Sequence, residues 1–414
     1  MFKILIICDV YPPSFAPRMG YLVKYMKEWN WTADIVTRGQ DDDFSFKSLL
    51  GDEKVLRVRG LVIPKKTKRD KISRLINQKK HDIQRGNLIS NYVLNNLKSN
   101  DYKLILCSTS HRTYILDTAY QIAQTWNMPW IADIRDLDEQ KSKIDQIKTG
   151  LLEFVINHIN KDSKKFILKK RNKRLQHANA IVTISPWHVE QLKKYNTNVH
   201  LIYNGFCPEH FFPRPSKSQD TFTITYTGMV FPTSYSDPTL LFLAVKKLAE
   251  DNIIDKTYFR IQFYTPEIRR DLILENPAYH DIRDFVDFFD YIDTSAVPQL
   301  LADSSILLLL TNVFKDDGPK GIMPTKYFEY LAMERPILCV QSDENILETS
   351  IKKANAGVSA RTVEETYDFL LEKWSEWQEH GYTTSKVNRE YAQQFSRKLQ
   401  ATQFVDLFDQ ISEK

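Results

Sequence analysis

The densest chemistry in the sequence lies between Gly318 and Leu338, where a loop holding Gly321, Ile322 and Met323 opens a helix at Thr325 with Pro324 near its first turn. Free backbone N–H groups at a helix N-terminus attract anions, so this opening, together with Lys326, suits a diphosphate. Glu329 follows about one turn later, where a carboxylate can accept two hydrogen bonds from a ribose diol. Alone, Glu329 also fits an ordinary exposed helix position; the whole assembly fits that reading less well. A second cluster is Asp133, Arg135, Asp136 and Asp138, directly after the apolar stretch Trp130–Asp133. Carboxylates held against an arginine at a strand end make acid/base and substrate-positioning groups, with a purely structural Arg–Asp network as the alternative. Asp136 and Asp138 also have the Asp-x-Asp spacing that holds a divalent ion against a diphosphate, and Asp41 to Asp43 repeat it, a pattern frequent by chance in an Asp-rich chain. The third stretch is the Pro-rich loop from Asp9 to Gly20, where Arg18 and Gly20 near a helix start offer a weak anion-receiving signal. No Gly-x-Gly-x-x-Gly follows the first strand, so a nicotinamide site is not supported.

These loops need a scaffold that presents strand ends. Strand-length apolar runs at Phe2–Cys8, Ala33–Thr37, Leu104–Cys107, Trp130–Asp133, Ala180–Ile184 and His200–Ile202 alternate with helical patterns. Unbroken apolar runs between amphipathic helices predict a parallel sheet covered on both faces. After a linker-like segment from Asn204 to Asp220, with Gly205, three prolines and a polar Ser216–Gln219 stretch, a second series begins, with strands near Phe222–Tyr226, Phe259–Phe263, Asp284–Phe289, Ile306–Leu310 and Pro336–Val340. The expected fold is α/β, with two doubly wound Rossmann-like domains facing a cleft. In such sheets ligands bind at the carboxyl ends of the strands, where all three clusters fall. The predicted divisions are 1–205, 206–385 and a helical tail, 386–414, packing back on the first domain. Trp374 and Trp377, three apart on one helix face, read as core packing.

With 57 basic and 52 acidic residues, a net charge of +5 is too weak for a dedicated nucleic-acid binder. Cys8, Cys107, Cys207 and Cys339 form no Cys-x-x-Cys pair and read as reduced, buried packing residues of a cytosolic protein. Asp9 interrupts the N-terminal apolar run before signal-peptide length, and no run reaches roughly 18 apolar residues, so a cytoplasmic location is expected. Two basic stretches, Lys65–Arg85 and Lys161–Arg174, are candidates for peripheral contact with the inner face of a membrane, with a solvated helix face as the equal alternative. Aromatic residues are not interleaved with these charges, which ranks nucleic acid lowest.

Several segments together resemble the GT-B glycosyltransferases, specifically the retaining family 4 of bacterial capsule, O-antigen and exopolysaccharide enzymes. Ile4–Pro13 resembles that family's first strand and Tyr-Pro-Pro loop; Pro129–Asp136 is similar to its Pro-Trp-hydrophobic-Ala-Asp-hydrophobic-Arg-Asp segment. His177–Pro186 and Ile202–Phe206 resemble its exit into the second lobe, and Lys326–Ala332 with Arg335–Leu338 its donor-site helix. The resemblance covers nearly the whole chain.

It implies a transferase moving a sugar from a nucleotide diphosphate, with UDP favoured, to a saccharide acceptor on a membrane lipid, in surface polysaccharide assembly. Retention of configuration, no metal and no cofactor are implied with it, the leaving diphosphate being stabilised by helix N-termini and cations. Glu329 would be the second Glu of the family's motif, on the ribose. The first would fall at Gly321, leaving the backbone N–H groups of Gly321 to Met323 in its place. Gly228 matches the glycine beside the donor phosphates, and Lys326 stands in for the phosphate cation. Asp136 is the candidate for orienting or activating the acceptor hydroxyl, with Arg135 contacting acceptor or donor and Asp133 holding Arg135. The alternatives are a nucleotide-sugar 2-epimerase on the same scaffold and a non-catalytic nucleotide-binding GT-B protein.

Overall fold

A computed structural model describes residues 1–38, 46–58, 71–110, 113–137, 139, 166–215, 217–232, 235–313 and 321–413, with side chains from 82 onward in the helix Lys71–Asn96. It divides into two compact units, Met1–Asn204 with Arg397–Lys414, and Gly205–Ser396.

The N-terminal unit is built on seven strands: β1 (Phe2–Cys8), β2 (Trp31–Arg38), β3 (Lys54–Val58), β4 (Leu104–Thr109), β5 (Trp130–Ile134), β6 (Ala180–Thr183) and β7 (Val199–Leu201). All pair in parallel in the order β3-β2-β1-β4-β5-β6-β7. Ile4 to Cys8 of β1 are entirely buried, which is why the sequence there shows an unbroken apolar run and no alternation. Leu5, Ile7, Ile105, Cys107, Ala132 and Ile181 join Ile115, Ala119 and Ile122 of the helix Thr113–Trp126 in one core. The sheet reverses its winding between β1 and β4, so the carboxyl ends of those strands flank its topological switch point.

The C-terminal unit repeats the plan with β8 (Phe222–Thr227), β9 (Phe259–Tyr264), β10 (Val286–Phe289), β11 (Ile306–Leu310), β12 (Ile337–Val340) and β13 (Gly357–Ser359), all parallel, in the order β10-β9-β8-β11-β12-β13. Its switch point lies between β8 and β11. Trp374 and Trp377 stack at 5.0 Å and meet Phe222 edge-on at 5.6 and 6.2 Å, so the pair packs in this unit's core as its spacing predicted.

Two strands escaped the sequence reading, β3 and β13, and both are sheet edges. The residues of β3 are all at least partly accessible, and β13 is three residues long, so neither leaves an apolar run. The chain rejoins the first unit at Arg397 rather than at 386. The reason lies in the intervening side chains: Tyr391 hydrogen-bonds Ser350 at 2.9 Å, and the Phe395 ring packs on Phe328 at 4.9 Å, which ties this stretch to the second unit. The final helix Arg397–Ser412 then packs on the helix Pro17–Met26, with Trp31 Nε1 donating to Asp409 at 3.0 Å and the Trp31 ring 5.5 Å from that of Phe408.

All four cysteines are buried thiols. Burial pushes the Cys8 and Cys339 thiols up to about 12, well out of the reactive range. Among the described residues no helix is long and apolar enough to cross a membrane.

Candidate active site

In the C-terminal unit, the carboxyl end of β8 and the start of the helix Thr325–Met333 bring together residues almost a hundred positions apart. Gly228 follows β8 with φ +110°, a conformation that side chains other than glycine rarely adopt, and donates its N–H to Tyr264 O at 2.9 Å. A Cβ at this position would lie 3.4 Å from Lys326 Nζ, so the missing side chain leaves the approach to that ammonium open. Lys326 Nζ rests over the Tyr226 ring, 3.6 Å from its centroid, a cation–π contact. Burial pushes the ammonium down to about 7, against the opposing attraction of the Glu329 carboxylate. Tyr330 ties helix to strand, its hydroxyl accepting from Thr227 N at 3.2 Å and lying 3.0 Å from Thr227 Oγ1. No side chain caps the helix at Thr325, where Pro324 holds the extended backbone conformation that precedes it. Gly321 is buried with φ +86°, Met323 is buried, and Ile322 stands exposed between them. A glutamate at position 321 would be strained in that backbone, which gives the departure from the family motif a structural correlate. Gly318 and Lys320 lie outside the described residues.

In the N-terminal unit the charges pair differently from the expectation. Asp133 is fully buried and holds Arg18, not Arg135: Arg18 Nε donates to Oδ1 and Oδ2 at 3.1 and 3.2 Å, and Nη2 to Oδ1 at 2.9 Å. The rest of the guanidinium is occupied by Tyr203 O at 2.8 Å and Ile202 O at 3.0 Å, and its face by the Phe404 ring at 5.1 Å. Ser108 Oγ completes the carboxylate at 2.8 Å. Arg18 therefore joins β5, the end of β7 and the last helix, and its anionic partner is the Asp133 carboxylate of the fold itself. Gly20 is likewise a packing position, since a Cβ there would come within 2.8 Å of Pro12 and 2.9 Å of Leu49. Arg135, half-buried, pairs instead with Asp9 at 3.5 Å, and Asp136 is exposed. Asp9, the other half of this pair, directly follows the buried run Ile4–Cys8 of β1.

The basic helix of the N-terminal unit is also partly neutralised. Lys170 and Arg174 both pair with Asp117, at 2.5 and 2.8 Å, and Arg171 forms a two-pronged pair with Glu139. Lys169, Lys173 and the ring of Phe166 face solvent. Residues 161–165 and the side chains of most of Lys65–Arg85 lie outside the described residues. Asp138 and Asp41 to Asp43 do as well; among the described residues no three His, Cys, Asp or Glu side chains are grouped to hold a metal ion.

Solved structures share this architecture along the whole chain. Sucrose-phosphate synthase from Thermosynechococcus elongatus superposes with a TM-score of 0.65 at 15% identity, covering 99% of both chains. HepE of Anabaena, solved with UDP, gives 0.64 at 12% identity over 99% of this chain and 100% of its own. A glycosyltransferase from Rickettsia africae gives 0.60 at 14% identity, covering 99% and 98%. The chain has the GT-B fold. No protein-family model matches it, and no curated protein does so by sequence. Within GT-B, the expectation of two doubly wound sheets with a returning C-terminal helix holds.

Proposed function

We propose that this protein is a glycosyltransferase that binds a nucleotide-diphosphate sugar in its C-terminal unit. The observation that carries the reading is the Gly228–Lys326 pair, a glycine with positive φ at the carboxyl end of β8 opening onto a cation that rests on the Tyr226 ring, with Glu329 one turn along the same helix. A diphosphate there gains Lys326 and the uncapped helix start, and Glu329 takes the ribose. UDP is the favoured nucleotide because HepE of Anabaena, which shares the fold, is solved with UDP and with UDP-glucose.

The acceptor is a saccharide, read as lipid-linked and belonging to surface polysaccharide assembly of the family 4 type. Transfer proceeds with retention and without a metal. Asp136, exposed just after β5, orients or activates the attacking hydroxyl, and Arg135 beside it contacts a substrate. Association with the inner face of a membrane rests on the solvent-facing Lys169, Lys173 and Phe166.

Thermal denaturation with UDP, GDP, CDP and ADP, with and without magnesium, tests the donor site. A nucleotide at about 100 times its dissociation constant stabilises the fold by about 2.7 kcal/mol. The expected result is a metal-independent shift with UDP that is lost in Glu329→Ala. Absence of a shift with any of the four nucleotides overturns the reading, and a shift without transfer to any acceptor favours a non-catalytic nucleotide-binding protein, consistent with Gly321 at the first motif position.

A further inference from the structure

The carboxyl ends of β1, β4 and β5 carry a second polar cluster, made of Asp9, Ser110 and Arg135, beside the switch point of the N-terminal sheet. Asp9 is only 2% exposed, yet its contacts are stretched: Oδ1 is 3.5 Å from Arg135 Nη2 and Oδ2 is 3.4 Å from Ser110 Oγ. Among the described residues the buried Arg135 Nε has no hydrogen-bond partner. On β5, two residues before Arg135, the Asp133 carboxylate is by contrast closed at 2.8 to 3.2 Å by Arg18 and Ser108. A buried carboxylate and a guanidinium N–H that fall short of each other leave unfilled hydrogen-bonding capacity of both signs, an acceptor beside donors.

We infer that Asp9 and Arg135, assisted by Ser110, form a binding subsite for the vicinal hydroxyls of a saccharide. One sugar hydroxyl donates to the Asp9 carboxylate while the Arg135 guanidinium donates to the oxygen of its neighbour. A diol presents this donor-and-acceptor pair at adjacent carbons, whereas a phosphate would set its negative charge against Asp9. Asp9 is thus a positioning residue, distinct from the proposed role of Asp136. The inference rests on the glycosyl-transfer reading for its place in catalysis, but binding to the subsite is testable without it.

Saturation-transfer difference NMR of the full chain with methyl glucoside, methyl galactoside, methyl mannoside and methyl N-acetylglucosaminide supplies the test. At least one glycoside should give signal in the wild type. Asp9→Asn and Arg135→Gln should each weaken its binding by about tenfold or more, and Ser110→Ala by less. An unchanged circular dichroism spectrum and unfolding midpoint in Ser110→Ala and Arg135→Gln guard against a folding defect if Asp9→Asn is unstable. Full-strength signal in folded Asp9→Asn or Arg135→Gln, or no signal from any glycoside, overturns the subsite. A missing UDP shift accompanied by Asp9-dependent glycoside binding would instead overturn the donor reading and leave the subsite standing.

Discussion

Arg18 and Lys326 are both cations drawn into the body of a doubly wound sheet, each near the carboxyl end of its unit's central strands, and their surroundings could hardly differ more. Every edge of the Arg18 guanidinium meets an acceptor, either Asp133 or the carbonyls of Ile202 and Tyr203, and its face meets Phe404. Lys326 has a tyrosine ring beneath it, a glycine in front of it, and a carboxylate one turn away that only partly offsets its burial. A saturated buried cation holds elements of the fold together, whereas an unsaturated one holds capacity for a ligand. Charge and position near a strand end, which the two share, do not separate these roles; the accounting of hydrogen bonds does.

If that contrast is right, its largest consequence is on stability. Arg18→Met leaves Asp133 buried with Ser108 as its remaining donor, and removing one partner of a buried pair costs about 3–5 kcal/mol. Urea denaturation should show an unfolding free energy lower by that amount, and a loss under about 1 kcal/mol would deny the structural role.

Next in size is a kinetic effect on the exposed side of the same cluster. Asp136→Asn should lower turnover by about a hundredfold or more while leaving nucleotide affinity and the unfolding midpoint unchanged. Transfer kinetics at saturating donor read this directly, and unchanged turnover removes Asp136 from the mechanism.

Lys326→Met should do the reverse of Arg18→Met, weakening nucleotide binding by about tenfold, as measured by calorimetry, with no loss of stability because a desolvated cation is removed. The smallest effect is its pH signature. In the free protein Lys326 titrates at about 7, below the ordinary lysine value, so the unfolded chain binds the extra proton between those limits. Its contribution to folding stability therefore rises with pH across that window. A bound diphosphate favours the charged ammonium, so binding takes up a proton and affinity should fall as pH rises above about 7, with the slope flattened in Lys326→Met.

Much of the scaffold was legible because burial on both faces writes itself into the sequence. The runs Ile4–Cys8 and Ile306–Leu310 contain no polar residue to mark an exposed face, and they became the central strands β1 and β11. Edge strands β3 and β13 left no such trace, since the accessible positions of β3 tolerate Lys54 and Arg57 as readily as apolar residues and β13 is only three residues long. At the proposed donor site, Gly228, Lys326 and Glu329 were each visible as residue types beside strand ends, and β8 and the helix at Thr325 meet only because β11 pairs beside β8. The charged partners were not legible. Arg18, Arg135, Asp9 and Asp133 offer several plausible pairings in one dimension. The choice of Asp133 for Arg18 and Asp9 for Arg135 was made by the order and register of β1, β4 and β5. Local sequence records how deeply a segment is buried and with what period, because those depend on near neighbours along the chain; which buried charge meets which depends on strands far apart in sequence, and is settled only when they pair.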